Sequence, residues 1–164
     1  MFKLINYLKF LLKSTNQHGV HSPFVFSYVT KCIYSKQDWD VSKSANVLLK
    51  SIDYFNYRVV DLRDNQSLQT IVNATFSNLE MDAKPADIIY IEDLNIHFED
   101  LLSRKLLHNG SMIFVNAIHQ NPRKMELWKK LIQMAAVRVS IDMFHCGIIF
   151  VRREQEKEHF TIRI

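Results

Sequence analysis

Two short runs, Asp87-Ile88-Ile89-Tyr90-Ile91-Glu92 and Ser111-Met112-Ile113-Phe114-Val115-Asn116, are apolar on both of the faces a strand presents. Strands of that kind are stable only where both faces are covered, as in a parallel sheet held between two helix layers. The neighbouring segments agree. Arg58-Val59-Val60-Asp61-Leu62 reads as a further strand, and Leu68, Ile71, Val72, Phe76 and Leu79 mark a helix after it. A helix is expected from about Phe98 to Leu107, closed by Asn109-Gly110. Pro122 opens another, carrying Met125, Trp128, Leu131 and Ile132. Such alternation builds βαβ units. Val137–Asp142 and Cys146–Arg152 are separated by three residues, too few for a parallel crossover, so they should form an antiparallel hairpin. The expected fold is α/β: a three-layer sandwich of about five strands, mostly parallel, with an antiparallel carboxy-terminal hairpin.

Residues 1–55 precede this core and read as helices, the whole forming one domain over residues 1–164. Leu4, Ile5, Leu8, Leu11 and Leu12 make one stripe of a first helix, with Lys9 and Lys13 opposite. Docking of that stripe on the body of the protein is expected, rather than membrane binding, and the segment is far short of a span. No small-residue cleavage site follows it, so it does not read as a targeting signal. Ser22-Pro23 opens a second helix with Phe24, Phe26, Val29 and Ile33 inward, and a third runs from about Ser42 to Phe55. Residues 1–50 hold seven Lys against two Asp, a balance of +5, whereas residues 51–164 come to −1 of the total +4. A neutral body argues against a nucleic-acid binder. The two cysteines, Cys32 and Cys146, form no CxxC, which excludes a zinc knuckle and a disulfide framework and suits the reducing cytoplasm.

Several stretches go beyond fold class. Residues Phe10 to Phe24, reading FLLKSTNQHGVHSPF, the Leu48-Leu49 helix leading into Val59-Val60-Asp61-Leu62, Ser140 to Phe144, and Gly147 to Phe160 with its EQEKEHF tail resemble a bacterial branch of the class I S-adenosylmethionine-dependent methyltransferases. The resemblance implies a Rossmann-like sheet of seven strands and S-adenosylmethionine as cofactor. It also implies a first strand ending in an acidic residue followed by a glycine-rich turn, where bare backbone approaches the cofactor.

The acidic position matches Asp61, but the expected glycines fall on Arg63 and Ser67, and the three glycines (19, 110, 147) form no motif. The second and third strands look absent, and with them the carboxylate that grips the ribose in the family; reading Tyr57–Leu62 as the second strand, with the first lost, is the alternative. Divalent-metal-dependent members bind an ion from two loops, which correspond here to Glu92-Asp93 and Val115-Asn116-Ala117-Ile118-His119, where both usual aspartates are replaced. No metal site is expected. Asp61, Arg63, Ser67, Glu92, Asp93 and Asn116 are the positions matching the cofactor site. His119, on a loop at the carboxyl end of a strand, is the general-base candidate, with His97 a weaker one. His18 and His21 are three apart but have no second pair to complete a metal site. No Ser-His-Asp or Cys-His nucleophile set is apparent in the sequence.

The expectation is a shortened, degenerate methyltransferase-like protein. Two alternatives stand beside it: an active small-molecule methyltransferase with a rebuilt pocket, in which Asp61, Glu92 and His119 act, and an interaction or peripheral membrane module using the basic amino-terminal helices. Loss of two strands would leave the first strand's edge unpaired, inviting a homodimer or pairing with an intact homologue.

Overall fold

A computed structural model describes residues 2–164. Helix α1 (Phe2–Lys13) is followed by a single 3-10 turn at Gln17–Gly19, α2 (Pro23–Tyr28), a π-helical turn over Val29–Ile33, and α3 (Lys43–Phe55). The cap expected at Ser22 is present, its Oγ accepting from Val25 N, and at the start of α3 Ser42 Oγ accepts in the same way from Ala45 N. Then come β1 (Val59–Asp61), α4 (Gln66–Thr75), β2 (Glu80–Met81), β3 (Ala86–Ile91), α5 (Phe98–Leu101) and β4 (Leu107–Asn116). The chain ends with α6 (Pro122–Gln133), β5 (Val139–Asp142), β6 (Cys146–Phe150) and β7 (Glu158–Thr161).

The strands form one sheet in the order β2-β1-β3-β4-β6-β5-β7, with β6 antiparallel to both neighbours and the other pairs parallel. Side-chain alternation sorts β3 and β4 between two cores. Ile88, Tyr90, Met112 and Phe114 pack with α2, α3 and α4 through Val25, Leu48 and Val72. Ile89, Ile91, Ile113 and Val115 pack on the opposite face against Leu101 of α5 and Trp128 and Leu131 of α6. The three-layer α/β reading and the β5–β6 hairpin therefore hold.

The strand count does not. Seven strands replace the expected five, because β2 is two residues long, too short for any periodicity, and because the charged carboxy-terminal segment pairs as β7, parallel to β5. Strand β1 is consequently not an open edge: Val59 and Val60 pair with Glu80 and Met81 of β2. Residues 82–85 alone connect the parallel strands β2 and β3, where a crossover ordinarily takes a dozen or more. The helix placed at Phe98–Leu107 is confined to Phe98–Leu101, and Asn109-Gly110 lies inside β4, with no glycine at positive φ. Phe26 faces outward, not inward.

Helix α1 is turned the other way from expectation. Leu4, Ile5, Leu8 and Leu12 are 65%, 45%, 54% and 88% exposed, while Phe10 is buried. The helix docks by its aromatic side: Tyr7 meets the Phe144 ring at 4.8 Å and Phe10 meets it at 5.4 Å. Among the described residues no helix is long and apolar enough to cross a membrane.

At the amino-terminal edge of the sheet, Asp87 ties three strands together. Its carboxylate accepts from Arg58 N and Val59 N at 2.7 and 2.8 Å and meets His108 Nε2 at 2.8 Å. Burial alone would raise its pKa, but the two amide donors and His108 outweigh burial and hold the carboxyl below its ordinary value. A lowered folded-state pKa contributes stability that is full above the unfolded value of about 4 and is lost as pH falls through the folded value. The urea midpoint of the wild type should therefore fall more steeply below about pH 4 than that of Asp87→Asn. Parallel pH profiles would remove Asp87 from the account of acid stability.

Candidate functional site

In an open α/β sheet, ligands bind beyond the carboxyl ends of the strands where neighbouring connections part. That place lies between β1 and β3, since the chain leaves β1 toward β2 on one side and leaves β3 toward β4 on the other. The residues arriving there are Asp61 from β1, Glu92 just after β3 and Asn116 from β4.

Asp61 is buried, and the chain's own cations hold it. The Lys84 ammonium pairs with Oδ2, and Arg63 Nε lies 3.4 Å from the same oxygen. Oδ1 accepts from Arg63 N at 3.0 Å. One negative charge is thus shared by two positive ones. Arg63 and Asp64 have φ of 50° and 61°, the left-handed region that favours glycine. The turn keeps a glycine-type backbone at Arg63 while carrying a long cationic side chain. Ser67, the second expected glycine position, is exposed in the first turn of α4.

Glu92 and Asn116 are engaged with each other. Asn116 Nδ2 donates to Glu92 Oε1 and Oε2 at 3.0 and 3.2 Å, and Ser44 Oγ of α3 donates to Asn116 Oδ1 at 2.6 Å. The Tyr90 hydroxyl donates to Glu92 Oε2. Burial first, then the Glu92 carboxylate beside it, push the Tyr90 phenol upward, so it remains a donor. Asp93 is exposed and accepts from Asn95 N at 3.0 Å. Lys124 of α6 donates to the Glu92 carbonyl at 2.6 Å, its pKa lowered by burial. Glu92, Asp93, Asn95 and Lys124 line an open cavity of about 400 Å³, to which Asp61, Arg63, Ser67 and Asn116 do not contribute.

The expected loss of a carboxylate after the second strand needs correction. Asp82 follows β2 directly, exposed and at φ 62°, with its amide donating to Val60 O at 2.9 Å.

His119 lies farther along the same edge. Its Nε2 meets Asp142 Oδ2 at 2.8 Å and Oδ1 at 3.0 Å, both side chains about nine-tenths buried at 11% and 12% exposure. Asp142 ends β5 and also accepts from Phe144 N at 2.9 Å. The imidazole stacks on Phe144 at 4.8 Å and 19°. A carboxylate only accepts, so the hydrogen is assigned to Nε2, and Nδ1 is left buried without a partner. A carboxylate that fixes an imidazole tautomer is the arrangement of an oriented base.

Sequence reasoning located His119 but missed Asp142, Lys84, Ser44 and Tyr90. The signal for Asp142 was available, since it ends a strand as Asp61 does. His97 is exposed at the start of α5 without a capping bond, and His18 and His21 are exposed. Among the described residues no three His, Cys, Asp or Glu side chains converge as metal ligands would. Comparison with known proteins returns nothing: no family model, no curated protein and no solved structure matches this chain.

Proposed function

We propose that the protein is a class I S-adenosylmethionine-dependent methyltransferase-like protein in which cofactor binding is weak or lost. The observation carrying this reading is the engagement of Asp61 by Lys84 and Arg63 at the end of β1. The cofactor's sulfonium is itself a cation, and a unit charge about 4 Å away repels it by roughly 1–4 kcal/mol between water and a protein surface. The residues present at the end of β1 do not fit S-adenosylmethionine.

A thermal-shift measurement tests the reading. With a Kd above about 1 mM, 1 mM S-adenosylmethionine stabilises the folded state by at most about 0.4 kcal/mol, which raises Tm by less than about 2 °C. A Kd near 10 μM would add about 2.7 kcal/mol and at least about 5 °C, favouring instead the active methyltransferase with a rebuilt pocket in which Asp61, Glu92 and His119 act.

A second reading, an interaction module acting through α1, is favoured by the outward apolar face of Leu4, Ile5, Leu8 and Leu12. It moves the expected self-association from the sheet edge to this helix. Sedimentation equilibrium should show a dimer that Leu4→Ser/Leu8→Ser/Leu12→Ser converts to monomer. A wild-type monomer at about 1 mM, absent also from the pellet with anionic vesicles, would end this reading.

A further inference from the structure

Helix α1 leaves an apolar row without a partner. Leu4, Leu8 and Leu12 stand four residues apart, so they line one face of the helix with Ile5 beside them, and all four are exposed. The other side is the docked one: Phe10 is buried, and Tyr7 and Phe10 rest on the Phe144 ring. Single exposed leucines need no explanation, but a contiguous row of large apolar side chains does. The row is not a span, since α1 has 12 residues where about 20 are needed. A helix of this kind lies in the plane of a bilayer surface, its apolar face sunk to the boundary of headgroups and acyl chains.

The charge selects the kind of surface. The helix reads FKLINYLKFLLK, with three lysines and no acid. Lys3, Lys9 and Lys13 are exposed, and none is ion-paired among the described residues. Lys9 and Lys13 directly follow Leu8 and Leu12, about 100° round the helix from them, so each stem can cover apolar surface while its ammonium stays in water. Lys129 of α6 shares a cleft wall with both, which carries the basic edge beyond α1. A second copy would meet this face with the same lysines, like charge against like. A bilayer containing anionic lipid offers apolar depth and opposite charge together.

We propose that the partner of this face is the surface of an anionic lipid bilayer, taken in preference to a second copy where both are present. The proposal rests on the second reading above, in which α1 is the interaction surface, and stands whether or not S-adenosylmethionine binds. Helix α1 then lies flat, with Leu4, Ile5, Leu8 and Leu12 below the headgroups and Lys3, Lys9 and Lys13 among the phosphates.

Flotation of the full chain with lipid vesicles tests it. The probe is phosphatidylcholine carrying about 30% phosphatidylglycerol, and phosphatidylcholine alone is the control. Half of the protein should float at about 2 mM accessible anionic lipid or less, and neutral vesicles should bind at least about tenfold more weakly. Each lysine near an anionic surface is worth about fivefold. Lys3→Gln/Lys9→Gln/Lys13→Gln should therefore weaken binding at least about tenfold. Leu4→Ser/Leu8→Ser/Leu12→Ser should do the same through lost apolar insertion. All six positions are exposed, so the circular dichroism of both variants should match the wild type. Failure to reach half-binding at about 2 mM anionic lipid would overturn the proposal. So would a smaller preference over neutral vesicles, or a smaller loss in either triple variant. A wild-type dimer that never floats would overturn the lipid assignment alone and leave α1 as a self-association surface. A protein that neither dimerises nor floats would end both.

Discussion

Phe150→Ala should lower the melting temperature by about 6–20 °C, the largest effect expected of any single change considered. Phe150 is fully buried in β6, and its ring is where helices and sheet meet. It contacts Phe24 of α2 at 4.9 Å and 84°, Phe55 of α3 at 5.6 Å and 64°, and Tyr28 at 5.8 Å and 86°. Edge-to-face pairs of this kind add to the burial of the ring itself. Truncating a buried Phe to Ala costs about 3–5 kcal/mol, and in a chain of this length each kcal/mol moves Tm by about 2–4 °C. Arg152 lies over the Phe24 ring at 4.6 Å and over the Phe55 ring at 5.8 Å, closing the cluster from outside. A shift of less than about 2 °C would mean the cluster does not join the helical layer to the sheet.

Gly147→Ala follows with a loss of about 1–3 kcal/mol, or about 2–12 °C in Tm. A Cβ at this position would meet Trp128 Cη2 at 2.6 Å, Cζ3 at 2.7 Å and Cζ2 at 2.9 Å. The indole is itself 4% exposed and packed under α6, so it cannot move aside without opening the second core. Gly147 therefore lets an aromatic ring lie on the backbone of β6. The variant should also displace the Trp128 indole resonance in a nitrogen–proton correlation spectrum; an unchanged resonance and an unchanged Tm would contradict this packing.

What was legible in the sequence was what is decided locally. The cap at Ser22 is settled within three residues, and the double-faced apolar runs of β3 and β4 demand two covered faces wherever they occur. What was not legible is decided across the chain. Strand β2 exists because Glu80 and Met81 find Val59 and Val60; nothing in two residues announces it. Strand β7 hides in a charged tail and is defined by its register with β5. The His119–Asp142 contact spans 23 residues and the Lys84–Asp61 contact likewise 23, so each acid could be seen without its partner. Helix α1 shows the limit of periodicity: the stripe was read correctly as a stripe, but two aromatic rings on its other side do the docking.

At the carboxyl edge of the sheet, the same physics ties these pieces together. Asp61, Glu92 and Asn116 arrive where a ligand is expected, and each is satisfied from within the chain. Asn6 Nδ2, His119 Nδ1 and Trp128 Nε1, three of the four buried side-chain nitrogens without a partner among the described residues, belong instead to residues near β5.

Isothermal titration of S-adenosylmethionine into the wild-type protein asks most directly whether Lys84 and Arg63 have closed the cofactor's place. The result expected is no saturable heat up to about 1 mM ligand. A one-site isotherm with a Kd in the micromolar range would contradict it.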